Sequence, residues 1–128
     1  MDERRGRGDQ GEELAAAYLE AAGWSIEARN FRTELGEIDI IASREVPGGV
    51  LVAVVEVKSR TETSRLSPEL SVTASKRRRI IRVARLYEAH FEDPRRGYRF
   101  DVIGVDLGTD PPEIQHFEGA FDSRGNPY

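Results

Sequence analysis

The stretch Gly36–Arg60, GEIDIIASREVPGGVLVAVVEVKSR, decides the architecture. Val46-Pro47-Gly48-Gly49 is its strongest turn signal, because proline presets φ and glycine accepts the left-handed conformations that tight turns need. Strand-forming runs flank it, Glu37 to Ser43 and Val50 to Lys58. The second begins Val-Leu-Val-Ala-Val-Val, so it is expected as a central strand buried on both faces. A hairpin centred on Pro47-Gly48 sets Asp39 opposite Glu56 and Glu37 opposite Lys58. Side chains alternate with period two, which turns all four to one face. Directly opposed carboxylates, with Cβ atoms about 5 Å apart, destabilise a sheet, and burial raises that cost. A divalent cation that prefers hard oxygen ligands, Mg²⁺ or Mn²⁺, would neutralise the pair. Lys58 would then orient a water or stabilise developing charge, and Glu37 would balance Lys58 or extend the metal shell. The plainer reading, strand-end charges in an exposed hairpin, predicts opposite charges across the pair rather than two carboxylates.

Outward from the hairpin, Asp9-Gln-Gly-Glu12 reads as a capping box that starts a first helix at Asp9. Leu14, Ala15, Tyr18, Leu19 and Ala22 form its apolar stripe, and Gly23 is its stop. Glu12 falls at the edge of that stripe, so it serves either as cap partner or as an acid reaching over the sheet. Trp24 to Phe31 alternates as a strand, with Trp24, Ile26 and Ala28 on one face. Residues 59–71 are expected to cross the surface as a loop. A helix from about Val72 to His90 carries Ile80, Val83, Ala84 and Tyr87 inward, with Lys76 in the same arc and Arg78, Arg82 and Arg85 opposite. Arg99 to Asp106 and Glu113 to Phe117 complete the strands. Residues 1–128 form a single domain, with about 1–7 and 122–128 expected to be loose. The order is αβββαβ, an α/β fold with a mixed sheet flanked by helices.

Composition narrows the class. Hydrophobic residues make up 38% and charged residues 33%, which fits a globular domain with a heavily charged surface. Cysteine is absent, which removes disulfides and thiolate metal sites and fits a reducing cytoplasm. No apolar run is long enough to span a membrane. The net charge of -4 hides segregation, since Lys76, Arg77, Arg78, Arg79, Arg82 and Arg85 follow one another with no acid between them. Such a stripe is ordinarily a solvated face, but it is also what contacts phosphates, so nucleic acid stays open as a partner.

Gly36-Glu37-Ile38-Asp39 followed by Glu56-Val57-Lys58-Ser59-Arg60 resembles the PD-(D/E)XK nuclease signature. More narrowly, the chain resembles the YraN-like family of uncharacterised bacterial proteins, which are similar to archaeal Holliday-junction resolvases. The match extends over Gly8, Gly11-Glu12, Ala15, Tyr18-Leu19, Gly23, Asn30, Arg32, Lys76, Arg99-Phe100-Asp101 and Ala120-Phe121. It implies a restriction-endonuclease-like core, Asp39 and Glu56 as metal ligands, Lys58 as the catalytic lysine and Glu12 as an acid from the first helix. Lys76 would help at the active-site end, and Arg60, Arg78, Arg82 and Arg85 would contact the nucleic acid. The implied activity is Mg²⁺- or Mn²⁺-dependent hydrolysis of phosphodiester bonds in DNA, rather than RNA, with branched or structured DNA preferred. The alternative is a non-enzymatic accessory protein of DNA processing that keeps the fold. Cutting both strands of a junction would favour a homodimer. Where the family has an aromatic-Gly pair after the Glu-Val-Lys strand, this chain has Leu66-Ser67-Pro68. Arg99 and Asp101 are expected to pair structurally, His90 and His116 to be structural or incidental, and Trp24 and Phe121 to pack in the core.

Overall fold

The computed structural model describes residues 3–61 and 68–127. Leu66 and Ser67 therefore lie outside the described residues, as does part of the loop expected over 59–71. The elements are α1 (Glu3–Ala21), β1 (Ser25–Thr33), β2 (Gly36–Val46), β3 (Gly49–Arg60), a short 3₁₀ turn (Pro68–Ser71), α2 (Ala74–Glu88), β4 (Arg96–Asp106) and β5 (Glu113–Phe121). The strands form one sheet in the order β1-β2-β3-β4-β5. β3 and β4 run parallel and the other neighbours antiparallel. This is the expected α/β fold with a mixed sheet, consistent with a restriction-endonuclease-like core.

Each helix covers one face. Ala15, Ala16 and Leu19 of α1 pack on Ile40, Ala42, Ala53, Val55, Ile103 and Val105. Ile80, Ile81, Val83, Ala84 and Tyr87 of α2 pack on Ile38, Ile41, Val52, Val54, Phe100 and Val102 on the other face. Burial on both faces explains why β3 reads as a continuous apolar run. Thr73 caps α2, its Oγ1 accepting from the Lys76 N–H at 3.2 Å, and this places Lys76 in the first turn. Trp24 and Phe121 are buried as expected.

The hairpin register is the expected one. Val46 pairs with Gly49 and Ile40 with Val55, the alignment that continues to Asp39 and Glu56. The paired ladder stops at Ile40–Val55, however. The Val57 N–H is taken instead by the Asp39 carboxylate, at 2.8 Å. The regular alternation on β2 also fails here, because Ile38 and Ile40 pack into opposite cores. Asn30 lies beside Asp39, between the Arg29–Ile40 and Phe31–Ile38 pairs, and has φ 53. This left-handed residue of β1 faces the point where Asp39 turns toward β3.

Two expectations are corrected. α1 runs through Asp9, so the Asp9–Glu12 pair is not a capping box, and Glu12 sits inside the helix. Arginine and glutamate favour helix enough to carry three glycines at about 1 kcal/mol each. Trp24, Ile26 and Ala28 do not share a face, because the β1–β2 register shifts between Ile26 and Ala28. Glu27, the extra residue there, reaches Tyr87 and Arg96 on the α2 side. The chain from Asp122 to Pro127 forms a turn. Asp122 N–H donates to Asn126 O and Gly125 N–H to Asp122 O, each at 2.9 Å, and Phe121 bridges Pro127.

Candidate active site

Asp39 and Glu56 meet where β2 parts from β3. Glu56 is buried, at 5% exposure, and the side chains of the two acids lie within hydrogen-bonding reach of each other. Burial, then the field of Asp39, pushes the Glu56 carboxyl up to about 7, against the opposing pull of Lys76 and Lys58. Asp39 is raised as well, chiefly by burial, although the Val57 N–H favours its charged form. Each carboxyl therefore favours its protonated form more than a free carboxylate does. Lys76 Nζ approaches Glu56 Oε1 at 3.2 Å from the first turn of α2. Lys58 follows Glu56 by two residues on the same strand, so its side chain leaves β3 on the same side.

Glu12 arrives from the opposite layer. Gly11 lets α1 approach closely, since a Cβ there would lie 2.7 Å from Ser59 Cβ, and the next residue is thereby lowered onto the sheet end. Glu12 is 8% exposed, and its carboxyl is pushed up to about 7 by burial first and Asp39 second. The Asn30 amide, turned to satisfy both of its ends, donates to Glu12 Oε1 and to Glu37 Oε1 at 3.0 Å each. Asn30 thus ties the acid of α1 to that of β2. In the sequence Asn30 stands out only through the family resemblance, although asparagine is one of the few side chains that accepts positive φ.

Glu37 does not balance Lys58. Its Oε2 pairs with Arg32 Nε across β1 at 3.1 Å. Glu37 and Asp39 line one wall of an open cleft of about 420 Å³, whose other residues include Arg32, Gly36, Lys76 and Arg79. The basic character of Arg32 and Arg79 gives no sign in the sequence that they border this cleft. Arg78, Arg82 and Arg85 are exposed on the outer arc of α2, away from the carboxylates. Arg60 lines a separate small cavity with Pro68, Gly104, Asp106 and Glu113.

The donor set fits a hard divalent cation. Asp39 has one oxygen held by Val57 N–H and Glu56 has one facing Lys76, so both carboxyls are oriented by protein donors. Two protein carboxylates with water and phosphate completing the shell is a common arrangement for Mg²⁺. Among the described residues no three acidic or imidazole side chains converge as a ready-made cage.

Residues 11–105, which contain every acid and lysine of the cleft, match the sequence pattern of the uncharacterised protein family UPF0102. The chain belongs to the UPF0102 family. It is 42% identical over 123 residues to a UPF0102 protein of Syntrophotalea carbinolica, covering 96% of this chain and 97% of that one. A UPF0102 protein of Symbiobacterium thermophilum is 47% identical over 103 residues, covering 80% and 84% of the two chains. One from Anaeromyxobacter dehalogenans is 37% identical over 126 residues, covering 98% and 91%. The UPF0102 match ends before the C-terminal turn, so the cleft lies within the family region and Arg124 lies beyond it.

The α1 face also carries a second polar group. Arg99 Nε and Nη2 donate to Asp101 at 2.8 and 2.9 Å, the pairing expected from their spacing. His116 Nε2 lies 2.7 Å from Asp101, and Tyr18 Oη lies 3.0 Å from His116 Nδ1. Every buried member is partnered, so this network ties α1 to β4 and β5. His116 is structural, as expected. No helix among the described residues is long and apolar enough to cross a membrane.

Proposed function

We propose that this UPF0102 protein is a cytoplasmic Mg²⁺- or Mn²⁺-dependent endonuclease that hydrolyses phosphodiester bonds in DNA, with branched or structured DNA as its preferred substrate. The observation that carries the reading is the pair of opposed carboxyls, a buried Glu56 and a half-buried Asp39, beside an open cleft lined by Lys76. Two carboxyls kept partly protonated in the absence of a cation form a site that gains free energy when one binds. Asp39 and Glu56 would hold the metal, and Glu12 would stand behind Asp39 as a further acid. A bound divalent ion would polarise the phosphate and acidify a water. Lys58 orients that water or stabilises charge developing on the phosphate oxygens. Lys76, which leans on Glu56, contributes positive charge beside it. Arg60, Arg78, Arg82 and Arg85 would contact the backbone without reading sequence. A two-fold homodimer would present two clefts to the strands of a junction.

One observation favours a second reading, a DNA-binding accessory protein without catalysis. Lys76 already stands at 3.2 Å from Glu56 and supplies part of the neutralisation a metal would bring. Cleavage of labelled four-way junction, flap, duplex and single-stranded DNA with Mg²⁺ or Mn²⁺ decides between them. Wild type should cut at least one substrate, and Lys58→Ala should lose the cutting while keeping its Mn²⁺-induced thermal shift. Junction binding without any cut would establish the accessory reading.

A further inference from the structure

The basic outer arc of α2 continues onto the C-terminal turn. Arg77 clamps that turn to the helix, its Nε donating to Gly125 O at 2.7 Å while its Nη1 donates to Val72 O at 2.6 Å. Gly125 has φ 86, and a Cβ there would lie 3.6 Å from Ile81 Cδ1, so the turn rests directly on the helix. Between turn and helix is a cleft of about 250 Å³ lined by Arg78, Ile81, Arg82, Arg85, Ser123 and Arg124. Asp122, the acid of this turn, has its Oδ1 occupied by the N–H groups of Arg124 and Asn126, each at 2.9 Å. Among the described residues Arg78, Arg82 and Arg85 have no carboxylate partner. Four guanidinium groups in one concavity repel each other, and a polyanion relieves that repulsion. Planar guanidinium forks match phosphate oxygens two at a time, and the Ser123 hydroxyl adds a donor.

We propose that the cleft between α2 and the C-terminal turn is a second phosphate site that grips the backbone of a DNA duplex arm, with Arg124 as the turn's contribution. The proposal rests on the reading that the carboxylate cleft takes DNA. Lys76 and Arg79 face that cleft, and Arg85 lies nine residues beyond Lys76. At about 1.5 Å per residue this is about 14 Å along the helix. Along the helix axis it corresponds to about four nucleotide steps of 3.4 Å. The second site adds affinity and register for an arm and takes no part in bond cleavage.

The test is fluorescence anisotropy of a labelled duplex and a labelled four-way junction across a salt series. Wild type, Arg124→Ala, Arg124→Lys and the double variant Arg78→Ala/Arg124→Ala are compared, each first checked for native circular dichroism. Counterion release predicts that the slope of log K against log salt shrinks by about 0.9 for each phosphate that the protein no longer neutralises. Arg124→Ala should lose about one such increment and the double variant about two, whereas Arg124→Lys should keep the wild-type slope. Unchanged slopes in both alanine variants, with wild type still binding, would overturn this site and leave the carboxylate cleft untouched. A wild type that binds neither DNA would overturn both. Reduced slopes without cleavage would uphold the second site and sink the nuclease.

Discussion

Replacing Glu56 by glutamine should stabilise the metal-free protein at alkaline pH, an outcome few substitutions of a buried charged residue share. The Glu56 carboxyl is pushed from its ordinary 4.5 up to about 7, by burial first and the Asp39 charge second. Below the unfolded value both states hold the proton and there is no penalty. As pH rises from 4.5 through 7 the unfolded chain ionises freely while the folded chain must ionise a buried group, so stability falls across that window. At about 1.4 kcal/mol per unit, the full penalty above the folded value is about 3 kcal/mol. Glutamine keeps the shape and can donate to Asp39, as the protonated acid does. It also breaks the ion pair to Lys76, but that side chain is 39% exposed and the loss is worth less than about 1 kcal/mol. The net gain is then about 2 kcal/mol at about pH 8, or about 5–10 °C in melting temperature for a domain of this size. At about pH 4.5 the gain should be near zero. Thermal unfolding in chelator at the two pH values measures it. Saturating Mn²⁺ should reverse the order, raising wild type by about 2.7 kcal/mol at a hundredfold excess over Kd and leaving the glutamine variant nearly unmoved. A variant that is destabilised equally at both pH values would refute the claim that burial and the Asp39 charge hold Glu56 toward its protonated form.

Gly11→Ala should destabilise by about 1–3 kcal/mol in denaturant titration, because the new methyl meets the backbone-anchored Cβ of Ser59 and α1 must shift; the same shift should move Glu12 and weaken any Mn²⁺ response. Asn30→Gly keeps the φ 53 conformation without the amide, whereas Asn30→Ala also places a Cβ in the left-handed region at a cost of about 1–2 kcal/mol. Alanine should therefore be the less stable of the two by about that amount, and equal stabilities would show that the twist at Asp39 does not depend on Asn30.

Much of the cleft was legible in the Pro47-Gly48 turn. A tight turn between two β-branched runs allows one low-strain register, and that register brings Asp39 and Glu56 to facing positions whatever surrounds them. The apolar content of Val50–Val55 likewise determined that β3 is central, because only burial on both faces uses so many branched side chains. Local pattern also placed Lys76 on the inner arc of α2, where it reaches Glu56. Tertiary structure decided the rest. The ladder's end at Ile40–Val55 and the turn of Asp39 toward the Val57 N–H lie beside a left-handed Asn30 on a neighbouring strand, and Glu37 meets Arg32 through the β1–β2 register. No reading of β2 alone contains that information. Glu12 looked like a helix cap because capping boxes are read over four residues, and whether a helix begins there depends on what lies upstream. Arg79 and Arg124 were ordinary surface arginines until packing set one beside the carboxylates and folded the chain's end back to place the other beside α2. Sequence specifies neighbours along the chain and across a short hairpin; which distant charges share a cleft is set by how whole layers dock.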